Sequence, residues 1–119
     1  MIDLAIPEAT PTLNALTRAH WTKYRQVRQH WSMLVMVAKS QAKAFTRATE
    51  PVDVTVIRYG KQPLDTDNLF GGCKVLIDAL KDHGLITDDN PKSLTLHVSQ
   101  KIDRYPRTQV SIRSIAPPS

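Results

Sequence analysis

The architecture turns on two adjoining stretches. The first is Val52-Asp53-Val54-Thr55-Val56-Ile57-Arg58-Tyr59. The second is Asp65-Thr66-Asp67-Asn68-Leu69-Phe70-Gly71-Gly72-Cys73-Lys74-Val75-Leu76-Ile77-Asp78-Ala79-Leu80-Lys81-Asp82-His83-Gly84. The first alternates and is rich in β-branched residues, the pattern of a strand with one buried face. Gly60–Pro63 then turns the chain. A helix is expected from Asp67 or Asn68, either of which can cap it, to His83, with Gly84 as its stop. Leu69, Leu76 and Leu80 supply its apolar face. Gly71-Gly72 lowers helix propensity in the first turns and is the point where the helix can split or start late.

Working outward, Ile2–Ile6 reads as a short strand, and Pro7, Pro11 and Asn14 mark an irregular loop. From Thr22 to Arg47 neither Gly nor Pro interrupts the chain. Val27, Trp31, Leu34, Ala38, Ala42 and Phe45 recur at spacings of three and four, one helical stripe. Met33, Val35, Met36 and Val37 widen the stripe, so the helix is expected to be covered on two sides, by the sheet and by a second subunit. Leu94–Ile102 and Thr108–Ile115 alternate as two further strands, expected as an antiparallel hairpin joined by Asp103–Arg107. Ala116–Ser119 reads as a frayed end. The order β-α-β-α-β-β predicts an α+β fold, one compact domain over residues 1–119 in which a mixed β-sheet packs with two main helices.

The length of 119 residues suits one core, and 41% apolar with 23% charged residues is an ordinary globular balance. No run approaches the roughly 18 apolar residues of a membrane span. The start Met1-Ile2-Asp3-Leu4 lacks the features of a signal peptide. A single cysteine, Cys73, excludes a disulfide framework and a cysteine-based zinc cluster, and reads as an inert small apolar side chain. A cytoplasmic setting is the expectation. The net charge of +5 is unevenly spread: residues 65–89 sum to −4 and the remainder of the chain to +9. A basic shell suggests a polyanionic partner, above all nucleic acid. An acidic patch inside that shell would repel the same partner, and a divalent cation is the simplest reason to keep it.

Asp65 and Asp67, separated by one residue before a helix, can converge on one ion if the backbone turns between them. Asp88-Asp89 follows that helix, where the chain can return beside the first pair. Oxygen ligands with no His or Cys among them favour Mg²⁺ or Mn²⁺ over zinc. On a phosphodiester such an ion can activate water and stabilise the departing oxygen. Lys74, seven residues after Asp67, lies about two helical turns on and can add positive charge at the transition state. The plainer reading stays open: Asp65 and Asp67 as turn and cap residues, Lys74 paired with Asp78 four residues on, and Asp88-Asp89-Asn90-Pro91 as loop chemistry.

The series Asp65-x-Asp67-Asn68-Leu69, Lys74, Asp78-Ala79-Leu80 and Gly84-x-Ile86-x-Asp88-Asp89 resembles the RusA family of Holliday-junction resolvases over about 25 residues. A strand ending Ile6-Pro7, a loop reaching Asn14 and a basic-aromatic stretch around His20-Trp21 agree more loosely. The resemblance implies a small, often prophage-borne, Mg²⁺-dependent endodeoxyribonuclease of DNA recombination and repair, acting as a homodimer by paired, symmetric incision of four-way junctions. It implies metal-binding and catalytic roles for Asp65, Asp67 and Asp89 and a catalytic role for Lys74. Asn68, Asp88 and Asp78 would support them: Asn68 as helix cap, Asp88 as neighbour of Asp89, Asp78 orienting Lys74 or packing. The chain departs from the family pattern by an insertion, Phe70-Gly71-Gly72, read as a bulge that still delivers Lys74.

The expected DNA surface comprises Arg18, His20, Trp21, Lys23, Arg25, Arg28 and Lys61. Lys39, Lys43 and Arg47 extend its charge, and Arg104 and Arg107 lie in the connection between the last strands. Cations reward phosphate contact without reading sequence, and Trp21 or Tyr24 can stack on an unpaired base. For Trp21 a buried place at a helix start is the alternative. Trp31 reads as core, and His30, His83 and His97 stand at no ligand spacing. Two other functions share these residues: a non-catalytic dimer that binds branched DNA, and a related nuclease acting on other branched DNA.

Overall fold

The computed structural model describes residues 1–115; the tail expected to fray, Ala116–Ser119, lies outside them. In chain order the elements are β1 (Ile2–Ile6), α1 (Leu13–Arg18), α2 (Trp21–Gln41), β2 (Val52–Gly60), α3 (Thr66–Gly72), α4 (Lys74–Asp82), β3 (Leu94–Ile102) and β4 (Arg107–Ser114). The fold is α+β, with a mixed four-stranded sheet in the order β1-β4-β2-β3. The expected strands are all present, with β2 and β4 shifted at their ends by one residue. Among the described residues no helix is long and apolar enough to cross a membrane.

The expected hairpin does not form. β3 pairs with β2 in parallel, and β4 lies on the other side of β2, antiparallel to both β2 and β1. The reason is the connection before β3: α3 and α4 carry the chain back across the sheet, as a parallel pair requires. With that side of β2 filled, the four residues 103–106 cross the end of β2, where the Asp103 amide donates to the Gly60 carbonyl at 2.9 Å. β4 then completes the core. Register aligns Leu4, Val110, Val56 and Val98 in one row and Ile2, Ile112, Val54 and Leu96 in the next. Helices cover this face, where Trp31, Val35 and Ala38 of α2 and Leu76 and Leu80 of α4 join the same core. The opposite face, with Thr55, His97, Ser99, Lys101, Gln109 and Arg113, is open.

The helices correct the expectation in three places. Residues 13–18 form a helix where a loop was expected, because the Thr12 hydroxyl accepts from the Ala15 amide at 3.0 Å and caps it. The long helix stops at Gln41 and not at Arg47. Lys43 takes a left-handed φ of 55°, with the Ala44 amide on the Lys39 carbonyl and the Lys43 amide on the Ser40 carbonyl. These two hydrogen bonds close the helix end, and Phe45 just beyond them is 68% exposed. Ala42, expected in the stripe, is likewise exposed. The second helix is two, broken at Cys73, and the order becomes β-α-α-β-α-α-β-β. The break follows from packing: a Cβ on Gly72 would lie 1.7 Å from the Pro11 carbonyl oxygen, so α3 sits directly on the loop before α1. α4 instead packs on α2. Gly84, at φ +75°, closes α4 as expected, with the Leu85 amide on the Leu80 carbonyl.

Candidate functional site

Asp65 is the cap of α3, a role expected of Asp67 or Asn68. One of its oxygens accepts from the Asn68 amide at 2.8 Å and the other from the Asn68 side chain at 3.1 Å. The Asn68 side-chain oxygen Oδ1 in turn accepts from the Asn14 amide at 3.0 Å, so one side chain fastens the Asp65 loop to the start of α1. Asp67 stands in the first turn of α3, exposed and without a side-chain partner among the described residues. An acid there is favoured by the partial positive charge of the helix start.

Lys74 opens α4. It shares the lining of a cavity of about 290 Å³ with Asp78 and Asp89, the remainder being Phe70, Cys73, Ile77, Pro91, Leu94 and Leu96. Helix and returning loop thus bring Lys74 and Asp89 to one cleft, on apolar walls supplied by α3, α4 and the edge strand β3. The pairing of Lys74 with Asp78 four residues on does not occur. Asp78 lies instead 3.9 Å from Arg28 of α2, which also reaches Asp82 at 3.8 Å. Among the described residues the Lys74 ammonium has no carboxylate within 4.0 Å. Asp88 turns away from the cleft: its carboxylate accepts from the Asp89 amide at 2.8 Å and pairs with Lys81 at 3.2 Å. The Asp89 amide, more than Lys81, holds the Asp88 carboxyl below its ordinary range.

As donors, Asp65, Asp67 and Asp89 suit a hard divalent cation. They are not gathered about one point: among the described residues no three His, Cys, Asp or Glu side chains are placed to hold a metal ion. Both oxygens of Asp65 are engaged by Asn68. Asp89 lines the Lys74 cleft, and neither Asp65 nor Asp67 does.

The basic residues divide. Arg18 ends α1, and His20 caps α2 by accepting from the Thr22 amide at 3.3 Å. Trp21 is 64% exposed, with the Arg25 guanidinium 5.2 Å from its ring centre, so the buried alternative for Trp21 is not what the chain adopts. α1 rises roughly 9 Å over its six residues, from the Asn14 link to this corner. Lys23 lines a shallow cavity with Glu8 and His30. Arg28 is committed to the acids of α4. Lys61 is exposed in the loop leading to Asp65. Trp31 is core, and His30, His83 and His97 are each bonded, to Glu8, Ser32 and Asp53.

Asn14 and Phe70 bear on the site without having been singled out for it. Asn14 contributes a backbone amide, which no side-chain pattern signals. Phe70 belongs to the insertion, and its place on the cleft follows from the helix break three residues later, at Cys73. Cys73 lines the same cleft but is 1% exposed, and burial pushes its thiol up to about 11. No family model matches the chain, and no curated protein is significantly similar to it.

Proposed function

We propose that the chain is a Mg²⁺-dependent, structure-selective endodeoxyribonuclease of the RusA type, cutting four-way junctions by paired incision. The observation that carries this reading is the cleft that Lys74, without an ion pair among the described residues, shares with Asp89 from a different segment of the chain. A lysine left unpaired beside an acid four residues on is available to an anionic substrate. Asp67 at the start of α3, Asp65 and Asp89 are the residues that would hold Mg²⁺ once the Asp65 carboxylate leaves Asn68 and the three side chains are drawn together. When bound, the ion supplies Lewis acidity at a scissile phosphate. Lys74 would set positive charge against the phosphate oxygens, and the corner Arg18–Arg25 would hold the backbone by charge alone. A second copy of the chain is supported by α2, whose Met33, Met36 and Val37 are 51%, 51% and 46% exposed on one side of the helix. Two equivalent sites then face two equivalent strands.

One observation favours a second reading, a dimer that binds branched DNA without cutting it: Asp65 is spent on capping and lies apart from the Lys74 cleft. Cleavage of a labelled four-way junction beside a linear duplex separates the two. The expected result is paired nicks that require Mg²⁺, vanish in EDTA and vanish in Asp67→Asn, with none on duplex. Asp67→Asn should bind the junction at least as tightly as the native chain, since a negative charge is removed from the phosphate's path. Tight junction binding with no cleavage in Mg²⁺ or Mn²⁺ would establish the second reading.

A further inference from the structure

The open face of the sheet ends in a feature that the reading above does not use. In register across three strands stand Lys101, Tyr59 and Arg107. The Arg107 guanidinium lies 3.7 Å from the Tyr59 ring centre, and the Lys101 ammonium 5.9 Å from it. Beyond them the connection from β3 to β4 presents Tyr105, 66% exposed, with Arg104 at 5.3 Å from its ring centre. This connection is built and not slack. The Asp103 carboxylate accepts from the Tyr105 amide at 2.9 Å and pairs with Arg107 at 3.3 Å, while Arg107 also donates to the Tyr105 carbonyl at 3.0 Å. The one acid of the tip is thus neutralised internally. Lys61, Lys101 and Arg104 have no carboxylate partner among the described residues.

The tip adjoins the acidic site through the chain itself. Lys61 follows β2 directly, and four residues later comes Asp65. The intervening Leu64 is held to β3 by two hydrogen bonds with the Gln100 side chain, at 2.9 and 2.7 Å. We infer that this sheet tip docks an unpaired DNA strand running past Asp65, with Tyr105 stacking on a base and Lys61, Lys101 and Arg104 meeting phosphates. Exposed cations interleaved with an exposed ring are what a single strand requires, and a duplex would offer that ring no free base. The inference rests on the reading of the chain as a protein of branched DNA and names the surface that receives its unpaired segment.

Fluorescence anisotropy in EDTA, with a short labelled oligo(dT) and a linear duplex as probes, tests it apart from cleavage. Tyr105→Ala should weaken oligo(dT) binding about tenfold while leaving duplex binding near its native value. The double variant Lys101→Gln with Arg104→Gln should reduce the slope of log affinity against log salt on oligo(dT) by about 1.4. All three side chains are exposed, so unchanged unfolding midpoints serve as the control. Undiminished affinity and slope, equal losses on both probes for Tyr105→Ala, or no oligo(dT) binding by the native chain would each overturn the inference. Tip-dependent binding by a protein that never cuts would leave the inference standing and remove the nuclease. Junction cleavage with binding indifferent to the tip would do the reverse.

Discussion

Asn68 binds both oxygens of Asp65, one through its backbone amide and one through its side chain, and ties the pair to Asn14 of α1. Asp65 therefore has a structural duty independent of any charge it offers a cation, and substitutions can separate the two. Asn is as good a helix cap as Asp. Asp65→Asn keeps the bond to the Asn68 amide and loses the exposed side-chain bond, which costs about 1 kcal/mol or less. Asp65→Ala loses both and should cost about 2 kcal/mol. Urea unfolding reads the difference. Junction cleavage then decides the role: a folded but inactive Asp65→Asn assigns the charge to chemistry, and an active one leaves Asp65 a cap.

How far the fold was legible follows from where its information lies. The strands announced themselves because Val52, Val54 and Val56, or Val110 and Ile112, alternate within a few residues. Gly84 announced a helix end because φ above zero costs glycine little. The parallel pairing of β3 with β2 was hidden, since a four-residue link looks like a hairpin and only the helical crossover makes it otherwise. The break at Cys73 was half legible: Gly71-Gly72 signalled weakness, but its cause is the Pro11 carbonyl, some sixty residues away. At the site, the sequence brought Lys74 and Asp89 into one hypothesis and the cleft holds both. It equally suggested that Asp65 and Asp67 converge with Asp89, and they do not: Asp65 turns to capping α3, and Asp67 stands exposed in its first turn.

Lys74 carries no ion pair among the described residues and is exposed, so its removal should leave the fold alone. Lys74→Ala is expected to shift stability by less than about 0.5 kcal/mol. Under the nuclease reading, turnover should fall by about 100-fold, as when a group that stabilises transition-state charge is deleted. Single-turnover junction cleavage checks it, and full activity would take Lys74 out of the chemistry.

Gly72 has no room for a side chain. A Cβ there would overlap the Pro11 carbonyl at 1.7 Å, a backbone atom that can yield only if α1 and α3 separate. Gly72→Ala should destabilise by about 3 kcal/mol, near the upper end for overpacking. Gly71→Ala meets the Leu13 side chain, its Cβ as well as its methyl groups at 2.8 Å, and no backbone atom that close, so it should cost less than Gly72→Ala. Thermal unfolding of the two variants side by side would test that ranking.

Lys43 is a non-glycine residue in the left-handed conformation that closes α2, at φ 55°. The two backbone bonds of that helix end involve no side chain of Lys43. Lys43→Gly should therefore stabilise the chain by about 1 kcal/mol, the strain of placing a Cβ in that region. A lower unfolding midpoint would show that the lysine side chain contributes more than its backbone costs.

Cys73 gives the fold an alkaline limit. Its thiol, normally near 9.0, is pushed up to about 11 in the folded chain by burial, so the folded state disfavours the thiolate. Below pH 9 both states hold the proton and its contribution is fully present. Between about pH 9 and 11 the unfolded chain releases the proton first, and stability falls by on the order of 2–3 kcal/mol over that window. Cys73→Ala should flatten this decline between pH 9 and 11 at the expense of a smaller core side chain. The same burial makes the native thiol slow toward a disulfide reagent at pH 8, with the reaction becoming fast in denaturant. A fast reaction in the native state would place Cys73 at the surface of the cleft, with its thiol open to the solvent that reaches Lys74.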